Sequence, residues 1–197
     1  PFLAYSLKHN IPAQATEIQC KNRFSKDGKN WQDWIALAAD AHIEPESDYW
    51  VSQLQITDKE HAFFQYRVKL DRWEVFPSLN AELHLYNPGE TIERPDTIST
   101  ENTIESRSCP CSPPDVQDRV DWCPTGDCPE SASPGFTNAS HLIVHHSAGI
   151  NEANDWSAVV RAIWDFHVNT RGWDDVGYNY LVDPNGVVYE GRGRDIL

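Results

Sequence analysis

The 197-residue chain is predicted to be an α+β, multi-domain protein: an N-terminal β-sandwich, a Pro/Cys-rich linker, and part of a mixed α/β domain. Three observations predict this. Period-two alternation of apolar residues runs through the first part of the chain and marks half-buried strands. Eight of the 13 prolines and four of the five cysteines then crowd into one patternless stretch. After it come an apolar run, an amphipathic helical stripe and a hairpin pattern, in that order.

The β-sandwich is assigned to residues 1–87. Phe64, Tyr66, Val68 and Leu70 alternate onto one face of a strand, as do Ala81, Leu83 and Leu85. Asp27-Gly28 signals a tight turn, because Gly accepts positive φ. The stretch Ser25–Trp31 is similar to the turn motif repeated in sialidase-type propellers. It occurs once and is one residue short, so it reads as a turn leading into a core Trp31. Residues 88–137 read as linker, its later part crosslinked and laid on the next domain.

The third region is assigned to residues 138–197, with a lead-in segment from about residue 116. His141–His146 reads as a buried strand ending in two histidines. Asp155 is a candidate cap for a helix from Trp156, with Trp156, Val159, Val160, Ile163 and Trp164 on one face and His167 continuing the stripe. Gly172 is the expected stop. Tyr178–Val182 and Val187–Glu190 read as strands around a turn at Asp183–Gly186.

Composition narrows the function. Net charge is −14, and an acidic chain lacking a basic stripe is a poor partner for nucleic acid. The same acidity argues against nonspecific adhesion to anionic membranes or wall polymers. No apolar run is long enough to insert in a membrane. The chain has no Met and begins at Pro1, so it reads as a fragment or a processed chain. Cys109, Cys111, Cys123 and Cys128 lie in the Pro-rich stretch, where a packed core can hardly form, so two disulfides are expected. Cys109 and Cys111 are too close to join each other, and each is expected to pair with Cys123 or Cys128. Their spacing fits a zinc ribbon poorly. Cys20 is left over. Disulfides imply an oxidising compartment, so the protein is expected to be secreted, periplasmic or at the cell surface.

A His pair at a strand end sends its two rings to opposite faces, so one of them is a candidate ligand. Four blocks extend the observation: Leu142–Gly149 with His145-His146, Trp164–His167, Gly172–Tyr180, and Asp183–Gly193. Arg119-Val120-Asp121-Trp122 precedes them. In this order and spacing they resemble the peptidoglycan recognition and type-2 N-acetylmuramoyl-L-alanine amidase family, over about residues 116–197.

The resemblance implies a mixed sheet with flanking helices and a groove for peptidoglycan or muropeptides. It implies a secreted, bacterial wall protein with zinc as cofactor. By the same resemblance His145 is the first zinc ligand, His146 a non-ligand, and Tyr178 the catalytic hydroxyl beside the metal. The family's remaining ligands have no counterpart here, so the fragment alone is expected to be inactive. Arg192 is a candidate for binding a stem-peptide carboxylate. His167 is expected to be structural or groove-lining, and Asp174 and Asp175 to fix the turn before the Tyr. Two other functions remain open: a recognition module that binds muropeptides without cutting them, and a carbohydrate-binding or adhesion protein led by the β domain through Trp31, Trp34 or Trp50.

Overall fold

A computed structural model of the chain describes residues 2–11, 18–42, 47–57, 61–71, 79–91, 114–133, 135, 140–147 and 149–192. They form two compact units: residues 1–88 with 145–150, and residues 89–144 with 151–197. The described secondary structure is mostly sheet, with few helices.

In the first unit β1 (Ala4–Asn10) is the centre of one antiparallel sheet. Along one edge it pairs with the short strands β4 (Tyr49–Val51) and β5 (Gln55–Ile56), and with β7 (Ala81–Tyr86) over six residue pairs. The second sheet has the order β3-β2-β6, with β2 (Ile18–Ser25), β3 (Ile35–Ala36) and β6 (Phe63–Leu70). Its long pairing runs from Ile18 opposite Leu70 to Ser25 opposite Phe63.

Both sheets feed one apolar cluster of Phe2, Tyr5, Leu7, Cys20, Phe24 and Leu37, against which Phe64, Val68, Ala81 and Leu83 pack. Tyr5 stands edge-on to Phe24 and Phe64 at 5.2 and 5.3 Å between ring centres, separations typical of favourable aromatic pairs. The buried Asn22 donates to the Tyr5 hydroxyl at 2.8 Å, so the phenol oxygen inside this core has a partner. Not every alternating residue is covered: Tyr66 and Leu85 remain 45% and 48% exposed.

The turn after β2 forms at Asp27-Gly28, with Gly28 at φ +72°. The Asp27 carboxylate accepts the backbone N–H groups of Lys29 and Asn30, both at 2.8 Å. These bonds hold its carboxyl well below the usual range. Trp31 corrects the sequence reading. It is half-buried rather than core, because β2 turns its inward face to the cluster through Cys20, Asn22 and Phe24. Trp31 instead lies under the guanidinium of Arg23, on the opposite face.

In the second unit β10 (Val188–Glu190) is central. It pairs antiparallel with β9 (Tyr180–Val182) and parallel with β8 (Val116–Gln117). The strand read from Tyr178 begins two residues later, although Gly191 and Arg192 still donate to Asn179 and Tyr178 carbonyls at 2.8 and 2.7 Å. Helix α1 (Arg119–Trp122) follows β8 directly. Helix α2 (Trp156–Asp165) starts where Asp155 accepts the Ala158 N–H at 2.9 Å, as its cap position predicts. A π-type turn, Phe166–Thr170, continues it and ends at Gly172, whose φ is +75°.

Two readings are overturned here. The run Leu142-Ile143-Val144 forms no strand and stands 92%, 79% and 88% exposed. A strand persists only where neighbours take its backbone groups and cover its side chains, and no described sheet includes these residues. The cysteine pairing also differs. Cys123 bonds to Cys128 across a Cα separation of 6.2 Å. The turn between them, closed by Gly126 N–H to the Cys123 carbonyl at 3.1 Å, brings the two together locally. Cys109 and Cys111 lie outside the described residues. Among those described no helix is long and apolar enough to cross a membrane.

Candidate functional site

The second unit is organised around a buried carboxylate. Asp175, 1% exposed, accepts both terminal nitrogens of Arg119 at 3.0 and 2.9 Å and the Trp164 indole N–H at 3.1 Å. Planar Arg and carboxylate groups suit such two-point bonding. Arg119 also donates to the carbonyls of Cys128 and Gly191. Trp122, with no exposed surface, donates its indole N–H to the Glu190 carbonyl at 2.9 Å. The Arg-x-x-Trp segment thus fastens the start of the unit to both Asp175 and the end of β10.

This fastening fixes the Gly177-Tyr178 segment. Gly177 donates its N–H to the His167 Nδ1 at 3.2 Å, which requires that nitrogen to carry no proton. His167 is buried, stacked on Trp173 at 4.6 Å and tilted against Tyr178 at 5.6 Å between ring centres. It is a packing residue that orients its neighbours. A Cβ on Gly177 would stand 2.6 Å from the Trp173 ring, so only Gly fits under that indole.

Tyr178 is half-buried. Its carbonyl accepts the Arg192 N–H at 2.7 Å, so a phenol and a guanidinium share one end of the β9–β10 ladder. The Arg192 guanidinium is 41% exposed and 3.9 Å from the exposed Asp174 carboxylate, a surface pair of small energetic value. Nearby, burial and the adjacent Asp183 push the Tyr189 hydroxyl up to about 12. It donates to Asp183 at 3.1 Å.

His145 belongs to the other compact unit. Its ring is exposed, with Nδ1 3.0 Å from the His146 carbonyl oxygen. Among the described residues no group of three His, Cys, Asp or Glu side chains could hold a metal ion. The described residues therefore do not by themselves fit a zinc centre. His145 and Tyr178 are not joined in one unit, whereas Tyr178, His167 and Arg192 are.

Sequence reasoning understated two residues. Beyond fixing the turn, Asp175 anchors Arg119 and Trp164. Arg161, buried inside α2, is the second: it donates to the Trp122 carbonyl and to the Thr91 hydroxyl. The available signal was a charged residue within an otherwise apolar helical stripe, which must be paired if buried.

No family model matches the chain, and no solved structure matches it. Curated relatives do. The chain is 41% identical over 56 residues to peptidoglycan-recognition protein SC1a of Drosophila melanogaster, covering 27% of this chain and 30% of that protein. It is 41% identical over 59 residues to peptidoglycan recognition protein 1 of Bos indicus, covering 29% and 31%. It is also 41% identical over 71 residues to peptidoglycan recognition protein 3 of Homo sapiens, covering 35% and 20%. The chain thus spans a third or less of the length of these relatives. It carries a segment related to the peptidoglycan recognition and type-2 amidase family.

Proposed function

We propose that the second unit contributes to a peptidoglycan-binding surface, and that the whole protein hydrolyses the amide between N-acetylmuramic acid and L-alanine. One observation carries the reading: Tyr178 and Arg192 are tied together by a backbone hydrogen bond of 2.7 Å within the stretch whose motifs resemble the family's. Arg192 offers a planar two-point donor to a stem-peptide carboxylate. The Tyr178 hydroxyl is a donor suited to a carbonyl oxygen gaining negative charge, an interaction worth about 3 kcal/mol in comparable sites. Asp175 and Arg119 keep the segment carrying both in one conformation.

Amide hydrolysis of this kind calls on zinc to activate water. Of the described residues His145 is the one that the resemblance marks as a ligand. The first unit is read as a β-sandwich accessory domain. The Cys123–Cys128 disulfide supports an oxidising, extracytoplasmic setting.

The test is digestion of purified peptidoglycan by the intact full-length protein, with and without chelator, followed by mass spectrometry. Stem peptides with a free L-alanine amino group that vanish with chelator, and fall at least tenfold with Tyr178→Phe, are the expected result. Retention on peptidoglycan with no release would replace the hydrolase by a recognition module. Neither retention nor release would remove the reading altogether.

A further inference from the structure

Strand pairing builds on the first unit a feature the linear sequence hides. Lys21 and Arg23 project from one face of β2, the face opposite the buried Cys20, Asn22 and Phe24. In the register of the sheet Lys21 stands opposite Arg67, Gln19 opposite Lys69, and Arg23 opposite Gln65. Four cations of a chain with net charge −14 therefore share one face of two strands. Strand spacings put neighbouring positions about 5 Å apart across the pair and about 7 Å apart along it. Among the described residues none of the four is ion-paired. Like charges directly opposite on a sheet are destabilising, so Lys21 opposite Arg67 carries a cost that a bound anion would remove.

Two indoles border this face. The Arg23 guanidinium lies 4.9 Å from the Trp31 ring centre and 4.5 Å from that of Trp34, and Arg67 lies 4.3 Å from Trp34. Arg23 Nε is held by the Gln65 side chain at 2.9 Å. The rings and guanidiniums are thus preorganised, while Lys21 and Lys69 extend beside them. Asp33, in the same loop as the two Trp residues, Asp27, tied into its own turn, and Asp71, two residues beyond Lys69, are the described acids nearest in sequence.

We propose that this face binds an acidic polysaccharide whose charge is borne on sugar carboxylates. Trp34 already carries two guanidiniums and Trp31 one, so a pyranose bearing a carboxylate would bring its charge to the cation grid and lay a ring face on the outer indole, Trp31. Among the described residues the outward positions of β6 are Phe63, 46% exposed, and then Gln65, Arg67 and Lys69, so most of this face is charged or polar rather than the flat apolar surface a lipid would use. The acidity of the whole chain opposes long-range attraction of any polyanion, so contact is short-range and confined to this patch.

The test is binding of the whole chain to polygalacturonate, neutral dextran, duplex DNA and anionic phospholipid vesicles at low salt. Polygalacturonate is expected to bind, and to release at least tenfold as salt rises past physiological strength. Lys21→Gln with Lys69→Gln leaves the indole stacks intact, and is expected to cost at least tenfold in affinity with an unchanged thermal midpoint. Trp31→Ala with the same loss, on a chain shown folded by circular dichroism, adds the stacking component. No binding of polygalacturonate, an unaffected lysine double variant, or stronger binding to dextran, DNA or vesicles overturns the proposal.

Discussion

Arg119 and Asp175, 56 residues apart in the chain, meet as a two-point ion pair at 3.0 and 2.9 Å, with side chains 8% and 1% exposed. Removing one member of such a pair leaves the other charge buried and uncompensated, which costs about 3–5 kcal/mol. Asp175→Asn and Arg119→Met are each expected to lower unfolding free energy by that order in urea titrations. In the double variant the losses should not add, with a coupling of at least about 1 kcal/mol. Simple additivity would show the pair to be energetically idle.

Gly191 and Gly186 separate close approach from backbone handedness. A Cβ on Gly191 would collide with the Tyr178 carbonyl and reach 2.9 Å from the Asn179 carbonyl oxygen, both of them backbone atoms that cannot rotate away. Gly186 has open space but a φ of +84°, which costs a residue with a Cβ about 1–2 kcal/mol. Gly191→Ala is therefore expected to destabilise more than Gly186→Ala in the same thermal melts. The reverse ranking would mean that the Tyr178–Arg192 pairing is not tight in solution.

The legibility of these features follows their range. The Asp155 cap, the Gly172 stop and the turn at Asp183–Gly186 were readable because each depends on residues within a few positions. The alternation of Phe64, Val68, Ala81 and Leu83 located the strands for the same reason. Which strand lies beside which is not local, so the meeting of Lys21 with Arg67 could not be seen, and the expectation of no basic stripe failed at the face of the β2–β6 pair. Leu142-Ile143-Val144 failed in the other direction: an apolar run supplies strand propensity, but strand formation requires a neighbour. The motif glycines and Asp175 were found by resemblance. Their physical reasons, contact with Trp173, with the Tyr178 carbonyl and with Arg119, became visible only in three dimensions.

The Cys123–Cys128 bond closes a short loop, and chain entropy assigns such a loop about 2 kcal/mol of stabilisation. Peptide mapping without reductant should recover these two cysteines joined to each other, and reduction should lower stability by that amount. Recovery of either one joined to Cys109 or Cys111 would restore the pairing expected from sequence.

Asp155 caps α2 and also accepts the Thr91 hydroxyl and backbone N–H at 2.7 and 3.0 Å. Burial raises its carboxyl, but the bonds from Thr91 and Ala158 and the charge of Arg161 outweigh it, and the net shift is downward. A depressed carboxyl contributes stability that is present above its unfolded value and is lost as pH falls through the folded one. Asp155→Ala is expected to cost about 1 kcal/mol at neutral pH, and the gap from wild type should shrink on acidification below pH 4. A gap that widens in acid would contradict this sign.

Cys20 tests the core of the first unit. It is 4% exposed, and burial pushes its thiol from 9.0 up to about 11. Since the thiolate is the reactive form, native chain at neutral pH should alkylate far more slowly than urea-unfolded chain. The folded state holds the proton between the unfolded and folded values, so stability is whole below about pH 9 and declines as pH rises towards 11. Cys20→Ala removes the ionisable group, so the decline of wild type relative to this variant isolates the contribution of the thiol. Equal labelling rates for folded and unfolded chain would mean that the cluster around Phe24 and Val68 opens readily to solvent. Parallel pH profiles for the two proteins would mean that the thiol is not desolvated.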